Sequence, residues 1–214
     1  MRGICYIVGA CGKEELYLPK AGKKLVIAAD GGLEALTAQG IAPDLILGDF
    51  DSLGRVPEGK NVLRYPVEKD DTDSMLAIKE GLCRGYSTFI LYGCLGGRMD
   101  HTYANMQALG YLAEHGAVGY LLGDGWAASA IKEGAVSFPA GLHGTASVFC
   151  PGGEAKGVSI RGLYYCLEDG TLQSSFPLGV SNHFTGEAAE VSVREGALLL
   201  MWQEEAEHLV DRLL

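Results

Sequence analysis

Leu45-Ile46-Leu47-Gly48-Asp49-Phe50-Asp51-Ser52 is an aliphatic run that ends in a glycine and two aspartates, and its reading decides the fold. Three apolar residues running into Gly and Asp have the form of a buried strand delivered into a loop. The construction recurs. Val26-Ile27-Ala28-Ala29 runs into Asp30-Gly31-Gly32, and Phe89-Ile90-Leu91-Tyr92 leads to Gly96-Gly97-Arg98-Met99-Asp100-His101. A further acidic stretch, Asp70-Asp71-Thr72-Asp73, opens a helix-like segment. Carboxylates gathered at the carboxyl ends of neighbouring parallel strands repel one another, so a fold that keeps them there needs a cation among them. A hard divalent metal is the simplest one.

On either side of these loops the first 125 residues alternate short apolar runs with helical patterns. Strands are expected at 4–8, 25–29, 45–47, 62–64, 88–92 and 118–122, and helices at 33–39, 73–84 and 103–115. Strand alternating with helix predicts right-handed crossovers and a parallel sheet, with ligands outside the carboxyl ends of the strands. After Asp124-Gly125 the texture changes to β-like runs at 146–149, 157–160, 163–166, 189–193 and 197–202, separated by Gly- and Pro-rich turns. The expected class is therefore α/β. A Rossmann-like, three-layer parallel-sheet domain over 1–126 is followed by an antiparallel β-sandwich or jelly-roll domain over 127–214. Ala206, Leu209, Val210 and Leu213 stand at helical spacing, so the tail reads as a docked terminal helix.

Composition narrows the function class. At 214 residues and 48% hydrophobic, the chain carries ample apolar side chains for a core. The formal charge is −10, and seven of the 27 acidic residues are Asp30 and the six aspartates of the three other acidic stretches. Nucleic acid and anionic membranes attract clustered Lys and Arg, so neither is an expected partner. Six cysteines show no CxxC pair and no zinc spacing, which predicts reduced thiols and a cytoplasmic protein. Val8-Gly9-Ala10-Cys11 has the look of a lipoprotein cleavage site, but the apolar run before it is shorter than the ~7–15 residues of a signal core, so a first strand is expected. No run reaches the ~20 apolar residues that span a bilayer.

Each motif also has a bland reading. A lone DGG is ordinarily a turn with a helix cap, and a lone Asp-x-Asp is ordinarily a solvated turn. Read functionally, the glycines let backbone approach a nucleotide, and the helix start faces its phosphates. Neither GxGxxG nor GxxxxGK[ST] is present, which disfavours a dinucleotide site or a Walker ATPase. The coincidence of several acidic loops at the strand ends of one sheet favours a metal site held by Asp49, Asp51, Asp71, Asp73 and Asp100. Arg98 suits either an ion pair with Asp100 or a grip on phosphate oxygens. His101 is as well placed to cap or pack as to act chemically.

Taken in order, the residues resemble thiamine pyrophosphokinase. The resembling segments are Ala29–Gly32 (ADGG), Pro43–Ser52 (PD-x-(I/L)-x-GDFDS), Asp70–Asp73 (D-x-TD) and Gly96–Asn105 (GGR-x-DH-x-x-AN), with Gly179-Val180-Ser181-Asn182 and Trp202 in the second half. Gly9-Ala10-Cys11-Gly12 departs from the paired glycines often seen in relatives, and the terminal helix runs past the end of many of them.

The resemblance implies transfer of a pyrophosphoryl group from ATP to the primary alcohol of thiamine, with Mg²⁺ as cofactor and AMP as by-product. It further implies that Asp30, Gly31, Gly32, Asp51, Ser52, Thr72, Asp73, Gly97, His101 and Asn105 place the nucleotide. Arg98 neutralises phosphate charge, and Asp71 or Asp100 accepts the hydroxyl proton. Ser181 and Asn182 offer polar contacts to the thiamine pyrimidine, and Trp202 an aromatic face to its cation. A homodimer with a composite site is implied as well. Two rival readings stand beside this one: another Mg²⁺-dependent pyrophosphokinase or nucleotide hydrolase with a different acceptor, and a non-catalytic thiamine or nucleotide sensor that keeps the pockets.

Overall fold

In a computed structural model, which describes every residue except 1–2, 12–14, 20–21, 52–53 and 55, six strands pair in parallel. They are β1 (Ile4–Val8), β2 (Lys24–Ala29), β3 (Leu45–Gly48), β4 (Val62–Arg64), β5 (Thr88–Tyr92) and β6 (Val118–Gly123), in the spatial order β6-β5-β1-β2-β3-β4. Every residue of β1 is buried, which is why its sequence is an unbroken apolar run rather than an alternation.

Successive side chains still part to opposite faces. Cys5, Ile7, Leu25, Ile27, Phe89 and Leu91 pack with Ala77 and Ile78 of α2 (Asp73–Cys83) and with Leu109 and Leu112 of α3 (Met99–Glu114). Tyr6, Val8, Val26, Ile90 and Tyr92 pack with Leu36 of α1 (Gly32–Ala38) and with Leu209 and Val210 of α4 (Ala206–Leu213). The result is a mixed α/β protein with a central sheet between helices.

α2 begins where Thr72 accepts the Met75 N–H on its hydroxyl at 3.2 Å, with Asp73 in the first turn against the helix dipole. α3 starts four residues before the expected position, because its first turn is polar and carries no periodic signal; Met99 there is 82% exposed. No described helix is long and apolar enough to cross a membrane.

Asp124 and Gly125 are the two residues of a hairpin turn with φ of 53° and 72°, the doubly left-handed form that Asp-Gly favours. They reverse the chain into β7 (Trp126–Phe138), which pairs antiparallel with β6. The antiparallel strands thus continue the parallel sheet, and the boundary expected after residue 126 falls at the start of β7. β7 runs along β12 (Ala189–Gln203) for most of its length. One register shift interrupts them between Val193 and Ala197, opposite Glu133, whose φ is 47°. On its other edge β12 pairs β9 (Glu154–Arg161) through Glu190–Glu195 and β8 (Thr145–Phe149) through Leu199–Trp202, so the change of partner falls at the bulge.

The two runs expected at 189–193 and 197–202 are therefore one strand. The run expected at 163–166 is not a strand: Leu163 makes a single bridge to Phe184, and the strand β10 (Leu167–Gln173) begins after it. β11 (Gly179–His183) pairs β8 and carries Ser181 and Asn182.

Candidate active site

The strand order reverses between β1 and β5, since the chain leaves β1 for β2 on one side and returns through β5 on the other. Adjacent loops part at such a point and leave a crevice at the carboxyl ends of the strands. Here the loops remain close at their base: the Cys11 N–H donates to the Gly93 carbonyl at 2.8 Å. A Cβ on Gly93, whose φ is +60°, would stand 2.2 Å from the Cys11 carbonyl oxygen, so glycine is required there. The crevice above them, about 200 Å³, is lined among others by Asp30, Thr72, Asp73, Arg98, His101 and Asn105. Asn105 is buried and donates to the Cys94 carbonyl at 2.9 Å, which ties α3 to the loop after β5.

β2 and β3 bring the first acids together. The Asp30 N–H donates to the Leu47 carbonyl at 2.8 Å, extending the β2–β3 pairing by one residue to the two strand ends. Phe50, with φ of 64° and 2% exposure, turns into the core between Asp49 and Asp51. Carboxylate oxygens of Asp30, Asp49 and Asp51 consequently lie within 4.8 Å of one another. Three hard anionic oxygens, two of them from half-buried residues, are a donor set that fits Mg²⁺, which binds few carboxylates and keeps water for the rest.

The expected ligands divide. Asp49 and Asp51 join Asp30, which sequence alone placed with the nucleotide. Asp73, the first residue of α2, is linked to Asp49 through Lys69, whose Nζ lies 2.6 Å from Asp49 Oδ2 and 3.0 Å from Asp73 Oδ1. Asp71 instead takes both its oxygens to Lys79 at 2.7 Å. Asp100 is held by Arg98, with the side chains 65% and 71% exposed. Neither Asp71 nor Asp100 lies in the three-carboxylate group; Asp71 pairs with Lys79 on α2 and Asp100 with its neighbour Arg98.

Electrostatics follow these partners. The Lys69 hydrogen bond holds the Asp49 carboxyl below its usual range. Burial raises Asp73 against the opposing pull of Lys69. Burial pulls Lys69 down, and its hydrogen bonds to Asp49 and Asp73 more than offset this. The Arg98 hydrogen bond brings Asp100 down to about 2.

Three further expectations meet the structure. Gly32 is buried where α1 abuts β1, and a Cβ on it would stand 1.8 Å from the Val8 carbonyl oxygen; its smallness serves helix–strand contact. Gly31 precedes it as the residue before the first turn of α1, and Gly97 has φ of 63° in the loop after β5. Ser52 lies outside the described residues.

The second half holds another cavity, about 470 Å³, lined among others by Leu167, Leu178, Tyr165, Ser181 and Asn182. Asn182 accepts the Tyr165 N–H at 2.9 Å and donates to the Tyr165 carbonyl at 2.7 Å, so its amide fixes that loop. Trp202 is a correction. It is 2% exposed, packs edge-on against Phe138 at 5.2 Å, and presents no face to either cavity. Tyr165, which lines this cavity, is 62% exposed. Sequence reading missed Tyr165 and Lys69; the signals were a Tyr-Tyr pair in a turn-bounded run and a lysine one residue before the Asp70–Asp73 stretch.

A parallel sheet with carboxylates converging beside its switch-point crevice defines an α/β protein suited to a metal-bound anionic ligand. The family described as "Thiamin pyrophosphokinase, catalytic domain" matches residues 19–118, and "Thiamin pyrophosphokinase, vitamin B1 binding domain" matches residues 138–198. The chain belongs to the thiamin pyrophosphokinase family, an enzyme family. The thiamine pyrophosphokinase of Bacillus subtilis (strain 168) is 36% identical over 91 residues, a stretch covering 40% of this chain and 42% of that relative. That match spans less than half of the relative's length. Among solved structures, thiamine pyrophosphokinase from Bacillus subtilis has a TM-score of 0.80 at 21% identity, covering 94% of this chain and 99% of that one. Yeast thiamin pyrophosphokinase has a TM-score of 0.75 at 14% identity, covering 98% and 89%. At these identities the structural likeness speaks for the fold.

Proposed function

We propose that the protein transfers the pyrophosphoryl group of ATP to the hydroxyethyl group of thiamine, giving thiamine diphosphate and AMP. The observation that carries this reading is the convergence of Asp30, Asp49 and Asp51 beside the switch-point crevice, in a chain of this family.

In the reaction the thiamine hydroxyl oxygen bonds to the β-phosphorus while the bond from that phosphorus to the α,β-bridging oxygen breaks. AMP departs with the bridging oxygen. Asp30, Asp49 and Asp51 would hold Mg²⁺, with Asp73 close by through Lys69. Bound there, the ion would neutralise charge on the β- and γ-phosphates and draw electron density from the phosphorus under attack. Arg98, at the crevice wall, exchanges its exposed pairing with Asp100 for phosphate oxygens. A carboxylate, Asp71 or Asp100, takes the hydroxyl proton. The positive first turn of α3 and the amide of Asn105 orient the nucleotide.

The cavity beside Tyr165 is the thiamine pocket in this reading. Tyr165 supplies the ring face that suits a cationic heterocycle, Ser181 a hydroxyl for the pyrimidine, and Asn182 the support that holds Tyr165. Tyr164, Tyr165, Phe176, Leu178 and Val180 are each about half or more exposed around it, which supports a homodimer that buries them and shares its sites between subunits. The protein acts in the cytoplasm on this reading. The test is a product assay with ATP, Mg²⁺ and thiamine, followed by mass: thiamine diphosphate and AMP in equal amounts support the reading, and ADP or thiamine-independent AMP rejects it.

A further inference from the structure

Lys69 is more deeply placed than the other lysines and arginines that pair with the acids of this face. Its side chain is 13% exposed, against 43% for Lys79 beside Asp71 and 71% for Arg98 beside Asp100. It has given up most of its hydration for two carboxylates on separate elements, Asp49 after β3 and Asp73 at the start of α2. Each oxygen of Asp49 already has a partner. Its Oδ2 is taken by Lys69 at 2.6 Å, and its Oδ1 accepts the Asp51 N–H at 3.2 Å. Yet this same carboxylate belongs to the group formed with Asp30 and Asp51.

We infer that Lys69 is an internal counter-cation that competes with the divalent ion for Asp49, so that the site takes up the ion together with the triphosphate rather than alone. The inference rests on the reading of Asp30, Asp49 and Asp51 as the metal site. An ammonium and a divalent ion on one half-buried carboxylate repel each other, and water screens them poorly there. Either Lys69 withdraws or further negative charge must arrive. The crevice lined by Asp30, Asp73 and Arg98 adjoins Lys69 through Asp73, so a triphosphate lying there supplies that charge and gives the ammonium new partners. Nucleotide and metal then strengthen each other's binding through Lys69, by the same factor in both directions.

A purely structural Lys69, tying the loop after β3 to the start of α2, makes the opposite prediction: its loss would loosen the acids and weaken the metal. The experiment is a titration with Mn²⁺, read by electron paramagnetic resonance, on the full-length protein and on Lys69→Met, Lys69→Gln and Lys69→Arg, with and without a non-hydrolysable ATP analogue. Lys69→Met and Lys69→Gln should bind Mn²⁺ alone about tenfold or more tightly than the parent, while Lys69→Arg stays near it. The strengthening of Mn²⁺ binding by the analogue should shrink by a similar factor in the two neutral variants. Should Lys69→Met fail to fold, Lys69→Gln carries the measurement. Each variant is repeated with Asp51→Asn. Unchanged or weakened Mn²⁺ binding in the neutral variants, in a protein whose Mn²⁺ binding still depends on Asp51, overturns the role of Lys69 alone. Mn²⁺ binding indifferent to Asp51→Asn throughout overturns the metal site and this inference with it.

Discussion

The indole N–H of Trp202 donates to Glu204 Oε2 at 2.7 Å. Glu204 is buried, and both terminal nitrogens of Arg212 reach its carboxylate from the last turn of α4. One acid thus satisfies the polar edge of a core tryptophan and fastens the terminal helix to the end of β12. Tyr17, whose hydroxyl donates to Asp211 at 2.6 Å, fastens the same helix to the segment after β1.

Trp202→Ala should lower stability by about 3–5 kcal/mol, through lost packing and the loss of the buried indole hydrogen bond to Glu204, whose two oxygens keep Arg212. Urea unfolding measures this, and steady-state kinetics should show the thiamine and ATP requirements suffering alike. A selective rise in the thiamine requirement at unchanged stability would return Trp202 to the acceptor pocket.

On the proposed function, Asp51→Asn should reduce turnover by a factor on the order of 10² or more, because an amide would not supply the charge needed to hold the ion against the phosphates. Thermal unfolding should hold or rise slightly, since three converging carboxylates become two. Mn²⁺ binding is the direct check, and retained binding with retained turnover removes Asp51 from the site.

Gly32→Ala should cost about 3 kcal/mol or more, because the new methyl meets the Val8 backbone rather than a side chain that can turn away. Gly40→Ala is the control for this effect: its φ is +68°, and nothing lies within 4 Å of the added carbon. It should cost only the strain of a left-handed alanine, on the order of 1 kcal/mol. Equal losses in thermal melts of the two variants would contradict the close approach of α1 to β1.

Alkaline stability should depend on Tyr17. The hydrogen bond to Asp211 pushes its phenol up to about 12, because a phenolate would face a carboxylate. An unfolded tyrosine titrates near ~10, so below that pH both states hold the proton and the contact contributes in full. From about pH 10 to 12 the unfolded chain releases a proton that the native chain keeps, and stability falls as pH rises. Tyr6, raised to about 12 by burial, contributes in the same window. The comparison is therefore Tyr17→Phe against the parent: urea midpoints should fall less steeply above pH 10 in the variant, and identical slopes would contradict the prediction.

If the sites are shared across a homodimer, Asp51→Asn and Tyr165→Ala proteins refolded together should recover about one quarter of the parental activity. The assay is run at a thiamine level where each alone is silent. Random pairing makes about half the dimers mixed, each with one intact site and one doubly altered. Silence in a mixture shown to contain mixed dimers would assign each site to a single chain.

Much of this arrangement was legible in the chain itself. Runs such as Ile4–Val8 and 45–47 are apolar throughout because both their faces are covered, and covered parallel strands imply helices on either side and loops at one end. The aspartates that follow those runs were readable for the same reason, since position after a strand end is a local property. The family motifs depend only on residue order and were equally visible.

What pairs with what was decided in three dimensions. Trp126–Phe138 is rich in alanine and carries Lys132 and Glu133, a composition with weak strand preference, yet β12 pairs with most of it and makes it a strand. Which carboxylates stand with Asp49 was set by tertiary placement. Lys79 stands on α2 within reach of Asp71, whereas the β2–β3 register carried Asp30 to Asp49. Trp202 matched a family position in sequence, but the alternation along β12 and the packing of Phe138 turned it into the core. Side-chain direction in a strand follows from register, and register is set by partners distant in the chain.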